Sequence, residues 1–205
     1  MDKRSTRMEV LGKDAKVCQR CDLAGTRTHV VFGEGNPESR LVFIGEAPGA
    51  NEDTCGRPFV GRAGMLLEEC LSEAGLTRND LYITSILKCR PSIAENGRRR
   101  NRPPSKEESA TCVAWMKQQL EIIDPLVIVC LGAVAAKYII NPKFQMTKER
   151  GAWFPTQHGR CAIAALHPAY VIRQMRQGIP ASRDTLVQDL AEAKKRVEKL
   201  RLQIG

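Results

Sequence analysis

Cysteines, carboxylates, a histidine and a run of arginines carry the chemistry this chain could perform. Cys18-Gln19-Arg20-Cys21 sets two thiols across one turn, so both sulfurs can face a shared metal ion or cluster. The pair precedes the first expected strand, whereas a thioredoxin-type redox pair belongs after a strand at a helix start. Cys89, in Lys88-Cys89-Arg90-Pro91, and Cys112, in the first turns of an expected helix, complete a candidate ligand set of Cys18, Cys21, Cys89 and Cys112. Four thiolates suit tetrahedral zinc and a 4Fe–4S cluster alike, although a lone Cys89 far from the pair does not fit a zinc ribbon built from two CxxC pairs. Cys70, Cys130 and Cys161 lie inside apolar elements and read as small buried side chains, while Cys55 sits among polar residues with no assigned role.

A second constellation is Gly45-Glu46-Ala47-Pro48-Gly49-Ala50-Asn51-Glu52-Asp53, followed by Gly56-Arg57-Pro58-Phe59-Val60-Gly61. A turn dense in glycine and proline at a strand end lets backbone amides approach a ligand. Glu46, Glu52 and Asp53 bring carboxylates to that rim, and Phe59 offers a flat face on which a base could stack. Taken alone, the segment is equally a strand-to-loop turn with solvated acids and a core phenylalanine. Of the three histidines, His167 in His167-Pro168 is the one that follows a strand and faces the other motifs.

The elements that must position these groups follow from the apolar pattern. Leu41–Gly45, Tyr82–Leu87, Leu126–Leu131 and Ala162–Leu166 are continuous Val/Ile/Leu-rich runs, expected for strands covered on both faces. Helices are expected over Met65–Ala74, Lys106–Ile123, Ala133–Ile140 and Arg183–Leu202. The second of these opens on Ser105 with Glu108 three residues on, a capping box, and its apolar face is expected through Ala110, Val113, Leu120 and Ile123. Strands alternating with helices imply an α/β fold, a mostly parallel sheet with helices on both faces, whose ligands sit beyond the carboxyl ends of the strands. Glu46, Ser85 and His167 all fall at that rim. Pro91–Pro104, with Asn96-Gly97, three consecutive arginines and Pro103-Pro104, is expected to be a loop, neither strand nor helix interior.

Length and composition bound the possibilities. The 205 residues suffice for one domain, and 42% hydrophobic with 27% charged residues is ordinary for a globular protein. No apolar run approaches the ~20 residues of a membrane span. The stretch MDKRSTRMEV has no apolar signal core, so a cytoplasmic protein with reduced cysteines is expected. The net charge of +9 favours a polyanionic partner, nucleic acid first and an anionic membrane surface second. Between Lys88 and Lys106, seven cations (Lys88, Arg90, Arg98, Arg99, Arg100, Arg102 and Lys106) face one acid, Glu95, for a local net of +6.

The order GEAPG, ED, GRPFVG, LYITSILKCRP, a cysteine in the following helix and LHP near the C-terminus resembles the family 4 uracil-DNA glycosylases from about Cys18 to about Arg173. The resemblance implies one uracil-DNA glycosylase-like domain over residues 1–205, a three-layer α/β/α sandwich with an N-terminal cluster-binding segment and a C-terminal helix. It also implies a 4Fe–4S cluster held by Cys18, Cys21, Cys89 and Cys112. The implied activity removes uracil, or another deaminated base, from DNA by hydrolysing its N-glycosidic bond, the first step of base excision repair. Glu46 would stabilise the cationic sugar or position water, and His167 would donate to the anion developing on the base. Phe59 would stack on the base, and the backbone at Ala47, with Asp53, Ser85 and Asn101, would contact it. Arg98, Arg99, Arg100 and Arg102 would meet DNA phosphates. Tyr170 or Val171 would wedge into the minor groove, with Arg173 reaching a phosphate.

Two departures from the family stand out. Ser85 occupies the strand position where the family usually has an asparagine, and a hydroxyl cannot present an amide's donor–acceptor pair. Ile93–Arg100 resembles an arginine-rich insertion of a sister group that traps its product through a loop histidine. The matching position here is Asn101, a poor nucleophile, so turnover without a covalent adduct is expected. The competing expectation is a non-catalytic iron–sulfur or zinc nucleic-acid-binding protein. For the glycosylase, a monomer acting on DNA that contains uracil or another deaminated base, with no membrane partner, is expected.

Overall fold

The computed structural model describes residues 3–203; Met1 and Asp2, which begin the charged N-terminal stretch, and Ile204 and Gly205 lie outside the described residues. In chain order the first half contains α1 (Lys3–Lys16), β1 (Glu34–Gly35), β2 (Leu41–Gly45), α2 (Ala50–Cys55), α3 (Arg62–Glu73), β3 (Tyr82–Ser85), β4 (Ser92–Glu95) and β5 (Arg98–Asn101). There follow α4 (Lys106–Ile123), β6 (Val127–Leu131), α5 (Ala133–Ile139), α6 (Met146–Glu149), β7 (Trp153–Thr156), β8 (Gly159–Ala165), α7 (Pro168–Arg176) and α8 (Ala181–Leu202). No helix among the described residues is long and apolar enough to cross a membrane.

The main sheet has the order β1-β3-β2-β6-β8-β7, with the four inner strands parallel and the two edge strands antiparallel. Every residue of β2 and β6 is buried, because both sheet faces are covered. Val42 and Ile44 pack toward the core that contains Trp115 and Met116 of α4, while Leu41 and Phe43 pack toward the one that contains Leu67 of α3 and Leu190 of α8. The result is the expected three-layer α/β/α sandwich. The chain leaves β2 for β3 on one side and returns to β6 on the other, so the connections diverge at β2, where open α/β sheets form their ligand crevice.

The capping box forms as expected: Glu108 N donates to Ser105 Oγ (3.0 Å) and Ser105 N donates to Glu108 Oε2 (2.8 Å). Leu120 and Ile123 of the expected α4 face are buried, but the N-terminal half of that face, Ala110 and Val113, is not. Cys112, Trp115, Met116, Gln119 and Leu120 are buried, whereas Ala110 is exposed, so the helix packs through its large side chains. Pro91–Pro104 is a correction of kind. Its middle is a β-hairpin, pairing Ser92 with Asn101 and Glu95 with Arg98, and the prolines lie outside the ladder. Asn96 (φ 50°) and Gly97 (φ 72°) both take left-handed backbone, the requirement of a two-residue type I′ turn, which Asn-Gly meets at low cost. The segment after His167 is also regular: it is α7, with Pro168 at its first position and His167 as its N-cap.

One buried polar network fastens α4 to β3. Gln119 Nε2 donates to Phe32 O (2.9 Å) and Tyr82 Oη (3.1 Å). Lys88, 1% exposed, donates from Nζ to Gln119 Oε1 (2.6 Å), Thr84 Oγ1 (2.5 Å) and Ser85 O (2.7 Å). Burial lowers its pKa to about 7. Gln119→Leu strands these buried partners and is expected to destabilise the protein by about 2–3 kcal/mol in urea denaturation. A loss below about 0.5 kcal/mol, the scatter of an ordinary surface substitution, would show that the network contributes nothing to stability.

Candidate active site

Three strand ends meet at one cavity of about 310 Å³, lined by Glu46, Ala47, Phe59, Ser85, Asn101 and His167 among others. Gly45 stands beside Ser85 in the ladder, and the pairing runs on as Ile86 N donates to Gly45 O (3.0 Å) and Leu87 N to Glu46 O (3.0 Å). The Glu46 backbone is thereby fixed at the rim. Its carboxyl is half-buried, accepts no hydrogen bond from any described residue, and burial raises its pKa above the usual carboxylate range. It therefore faces the cavity as a free acceptor.

Phe59 forms the cavity's aromatic wall under backbone strain. Its φ is +52°, rare for a bulky residue, and its ring lies so close to β2 that a Cβ on Gly45 would stand 2.7 Å from Phe59 Cζ. Two clamps hold it there. Arg78 donates from Nη2 to Phe59 O (2.6 Å) and from Nη1 to Pro58 O (3.0 Å), and is itself paired with Glu34 and Glu68. Glu52 accepts from Gly49 N (3.2 Å), Val60 N (3.0 Å) and Gly61 N (2.8 Å). Gly64 permits the arrangement, since a Cβ there would lie 1.9 Å from Phe59 O. The sequence places Glu52 at the rim as a carboxylate without a task of its own and assigns Arg78 no role. The available signal for Glu52 was its position three residues after Gly49 at a helix start, the spacing of a capping carboxylate.

His167 is held in one protonation state. The backbone N–H of Ala169 donates to its Nδ1 (3.1 Å), so Nδ1 carries a lone pair and the ring proton sits on Nε2. Burial first, and then the Arg173 charge, lower its pKa to about 4, against a smaller opposing effect of Glu52. The imidazole is thus a neutral donor. Its ring lies 5.9 Å from that of Phe59 at a 34° tilt.

Other expected site residues are placed differently. Asp53 is turned away from the cavity, its two oxygens accepting from Thr28 N and Thr28 Oγ1 (2.9 Å each), so it fastens α2 to the segment before β1 instead of meeting a ligand. Arg102 lines the cavity but is paired with Glu108 of the capping box. Arg99 donates to Thr26 O and Arg100 pairs with Glu95 (2.7 Å), while the Arg98 side chain has no hydrogen bond or ion pair among the described residues. Val171 is fully buried and cannot wedge into a groove; Tyr170, 40% exposed, can. Tyr170 and Arg173 line a second cavity of about 590 Å³ that shares Glu46 and His167 with the first.

The expected metal centre is overturned. Among the described residues no three His, Cys, Asp or Glu side chains form a group that could hold a metal ion. Cys18, Cys21, Cys89 and Cys112 do line one cavity, but it measures about 10 Å³, room for barely one water, so the residues as placed do not fit a 4Fe–4S cluster. Cys89 accepts from Arg27 Nη1 (3.6 Å) and Cys112 from Lys88 N (3.2 Å), and burial raises both thiol pKa values, that of Cys89 to about 11. Cys55 is exposed; Cys70, Cys130 and Cys161 are buried as expected.

Residues 32–191 match the family model of the uracil DNA glycosylase superfamily. The chain is 42% identical over 193 residues to a type-4 uracil-DNA glycosylase of Thermotoga maritima, covering 94% of this chain and 95% of the relative. It is 51% identical over 124 residues to a type-4 uracil-DNA glycosylase of Archaeoglobus fulgidus, covering 60% and 59%. Its fold is similar to the crystal structure of wild-type Pedobacter heparinus SMUG2, with a TM-score of 0.56 over 77% of each chain at 17% identity.

Arg78→Met removes one of the two clamps on Phe59. It is expected to lower stability by about 1–3 kcal/mol and to let Phe59 relax to negative φ. An unchanged denaturation midpoint together with a crystal structure of the variant that keeps Phe59 at positive φ would refute the clamp.

Proposed function

The chain belongs to the type-4 uracil-DNA glycosylases of the uracil-DNA glycosylase superfamily, and on that premise we propose that it hydrolyses the N-glycosidic bond of uracil in DNA, leaves an abasic site and so initiates base excision repair. One observation carries the reading: a free carboxyl and a neutral histidine donor from separate strand ends and an aromatic wall from the loop before α3 converge on a single cavity. Such a cavity takes a base only after it has left the helix stack.

The residues divide the labour by charge. As the C1′–N1 bond lengthens, positive charge grows on the sugar and negative charge on the uracil. Ionised Glu46 opposes the first and orients the water that adds to C1′. His167 donates its Nε2 hydrogen to the uracil oxygen that becomes negative. Being neutral, it stabilises that charge as a hydrogen-bond donor, the role of an oxyanion hole. Phe59 stacks on the base, Ala47 and Ser85 contact it, and the same chemistry extends to other deaminated bases where Ser85 replaces a more exacting amide. Tyr170 enters the space left by the flipped nucleotide and Arg173 meets a neighbouring phosphate. The arginine hairpin β4–β5 lies against the DNA backbone, with unpaired Arg98 foremost.

Two measurements test the reading. In a nicking assay on uracil-containing duplexes, His167→Ala is expected to lower kcat roughly 10²–10³-fold, and Glu46→Gln about 10²–10⁴-fold. Activity needs Glu46 ionised, so it falls as pH drops through that raised pKa, whereas His167 stays neutral down to about pH 4. The acidic limb should therefore persist in His167→Ala and vanish in Glu46→Gln. The reverse pattern would reassign the two residues, and a wild-type protein that releases no uracil would defeat the proposal. Replacing Arg98, Arg99 and Arg100 by glutamine should flatten the dependence of log Kd on log salt by about 0.9 for each phosphate no longer neutralised, with Arg98 accounting for most of it. An unchanged slope would remove the hairpin from the DNA interface.

A further inference from the structure

The amide of Asn101 faces the base cavity in an orientation that a second residue dictates. Asn101 closes β5 and lines the cavity, and its Oδ1 accepts from Arg90 Nε at 2.7 Å. Arg90 is buried and also donates from Nη2 to Arg99 O at 3.0 Å, so its guanidinium is fixed at two points on β5. A guanidinium has five donors and no acceptor, which settles an otherwise reversible amide: the oxygen must face Arg90 and the NH₂ must face away. Asn101 Nδ2 accordingly stands over the Gly45–Gly49 turn, 3.7 Å from where a Cβ of Gly49 would lie.

We infer that Arg90 is a positioning residue that makes Asn101 a donor-only contact, and that this contact reads a carbonyl oxygen of the flipped base. The inference rests on the glycosylase reading of the site and deepens it. Deamination replaces an exocyclic amine, a donor, with a carbonyl, an acceptor. An NH₂ that cannot turn its oxygen inward accepts the deaminated base and opposes the amine of the undamaged one. The hydroxyl of Ser85, which can donate or accept, does not make that distinction. The strand that bears Asn101 is the arginine hairpin, so the segment that meets the DNA backbone also carries the contact that reads the base.

The test exchanges donor for acceptor at constant shape. In Asn101→Asp the carboxylate keeps its partner Arg90 but presents an acceptor to the cavity, and Asn101→Leu removes the donor without adding an acceptor. On a duplex containing one uracil, Asn101→Asp is expected to lower kcat/KM ~10- to 100-fold, by more than Asn101→Leu, while its melting temperature stays at or above the wild-type value. Arg90→Met, which lets the amide turn, should lower kcat/KM, and Arg90→Lys, which still donates to Oδ1, should recover part of the loss. A merely structural role would order the variants by stability. Asn101→Asp within about twofold of wild type, or less impaired than Asn101→Leu, would overturn the inference alone. A wild-type protein that releases no base overturns the glycosylase reading and this inference with it.

Discussion

The site depends on one carboxylate that never needs to touch a substrate. Glu52 gathers the amides of Gly49, Val60 and Gly61, and in doing so draws the turn after β2 and the loop bearing Phe59 onto each other. A carboxylate receiving three N–H groups is a strong, charge-assisted anchor, and both loops are otherwise irregular segments with few constraints of their own. Sheet pairing fixes the Glu46 backbone, and Glu52 ties the turn that follows it to the loop of the strained Phe59. Arg78 completes the effect from the far side, holding the carbonyls of Pro58 and Phe59 as Glu52 holds the amides that follow. Strain at Phe59 is sustained because both ends of the residue are over-determined.

A related division governs the electrostatics. The turn places an unpartnered carboxyl, Glu46, in the same cavity as a histidine whose protonation is blocked by burial and by Arg173. The imidazole stays neutral with its proton fixed on Nε2 by the Ala169 amide, and the Glu46 carboxyl keeps no hydrogen-bond partner among the described residues. The cap of α7 is therefore also a device for choosing a tautomer.

Much of this was legible in the sequence, for reasons that differ by residue. The buried strands announced themselves as apolar runs, and Ser105 with Glu108 marked the start of α4 because capping is a local interaction between near neighbours. Glu46, Ser85 and His167 were legible because strand ends converge in any parallel sheet, whereas Phe59, between two helices, and Asn101, in the separate hairpin, were placed by the family resemblance. What failed depended on longer-range facts. Asp53 and Glu52 are adjacent carboxylates on one short helix, and nothing local reveals that Thr28 claims the first and the Phe59 loop the second. The four cysteines do share a wall, yet their spacing could not report how little room they enclose. The hairpin was hidden by its flanking prolines, although Asn96-Gly97 was the local signal for its turn.

That hairpin explains why a charge cluster alone could not be read. Four arginines in five residues look interchangeable in the sequence, but the ladder sorts them. Arg99 is bound to Thr26, Arg100 to Glu95 and Arg102 to Glu108, which leaves Arg98 at the turn as the cation with no partner among the described residues. An ion pair already made must be broken before its cation can meet another anion, so the four cations are not equivalent. The same ladder ends at Asn101, beside Arg90 and over the cavity. One two-stranded ribbon therefore carries both the arginine cluster and a residue that lines the cavity.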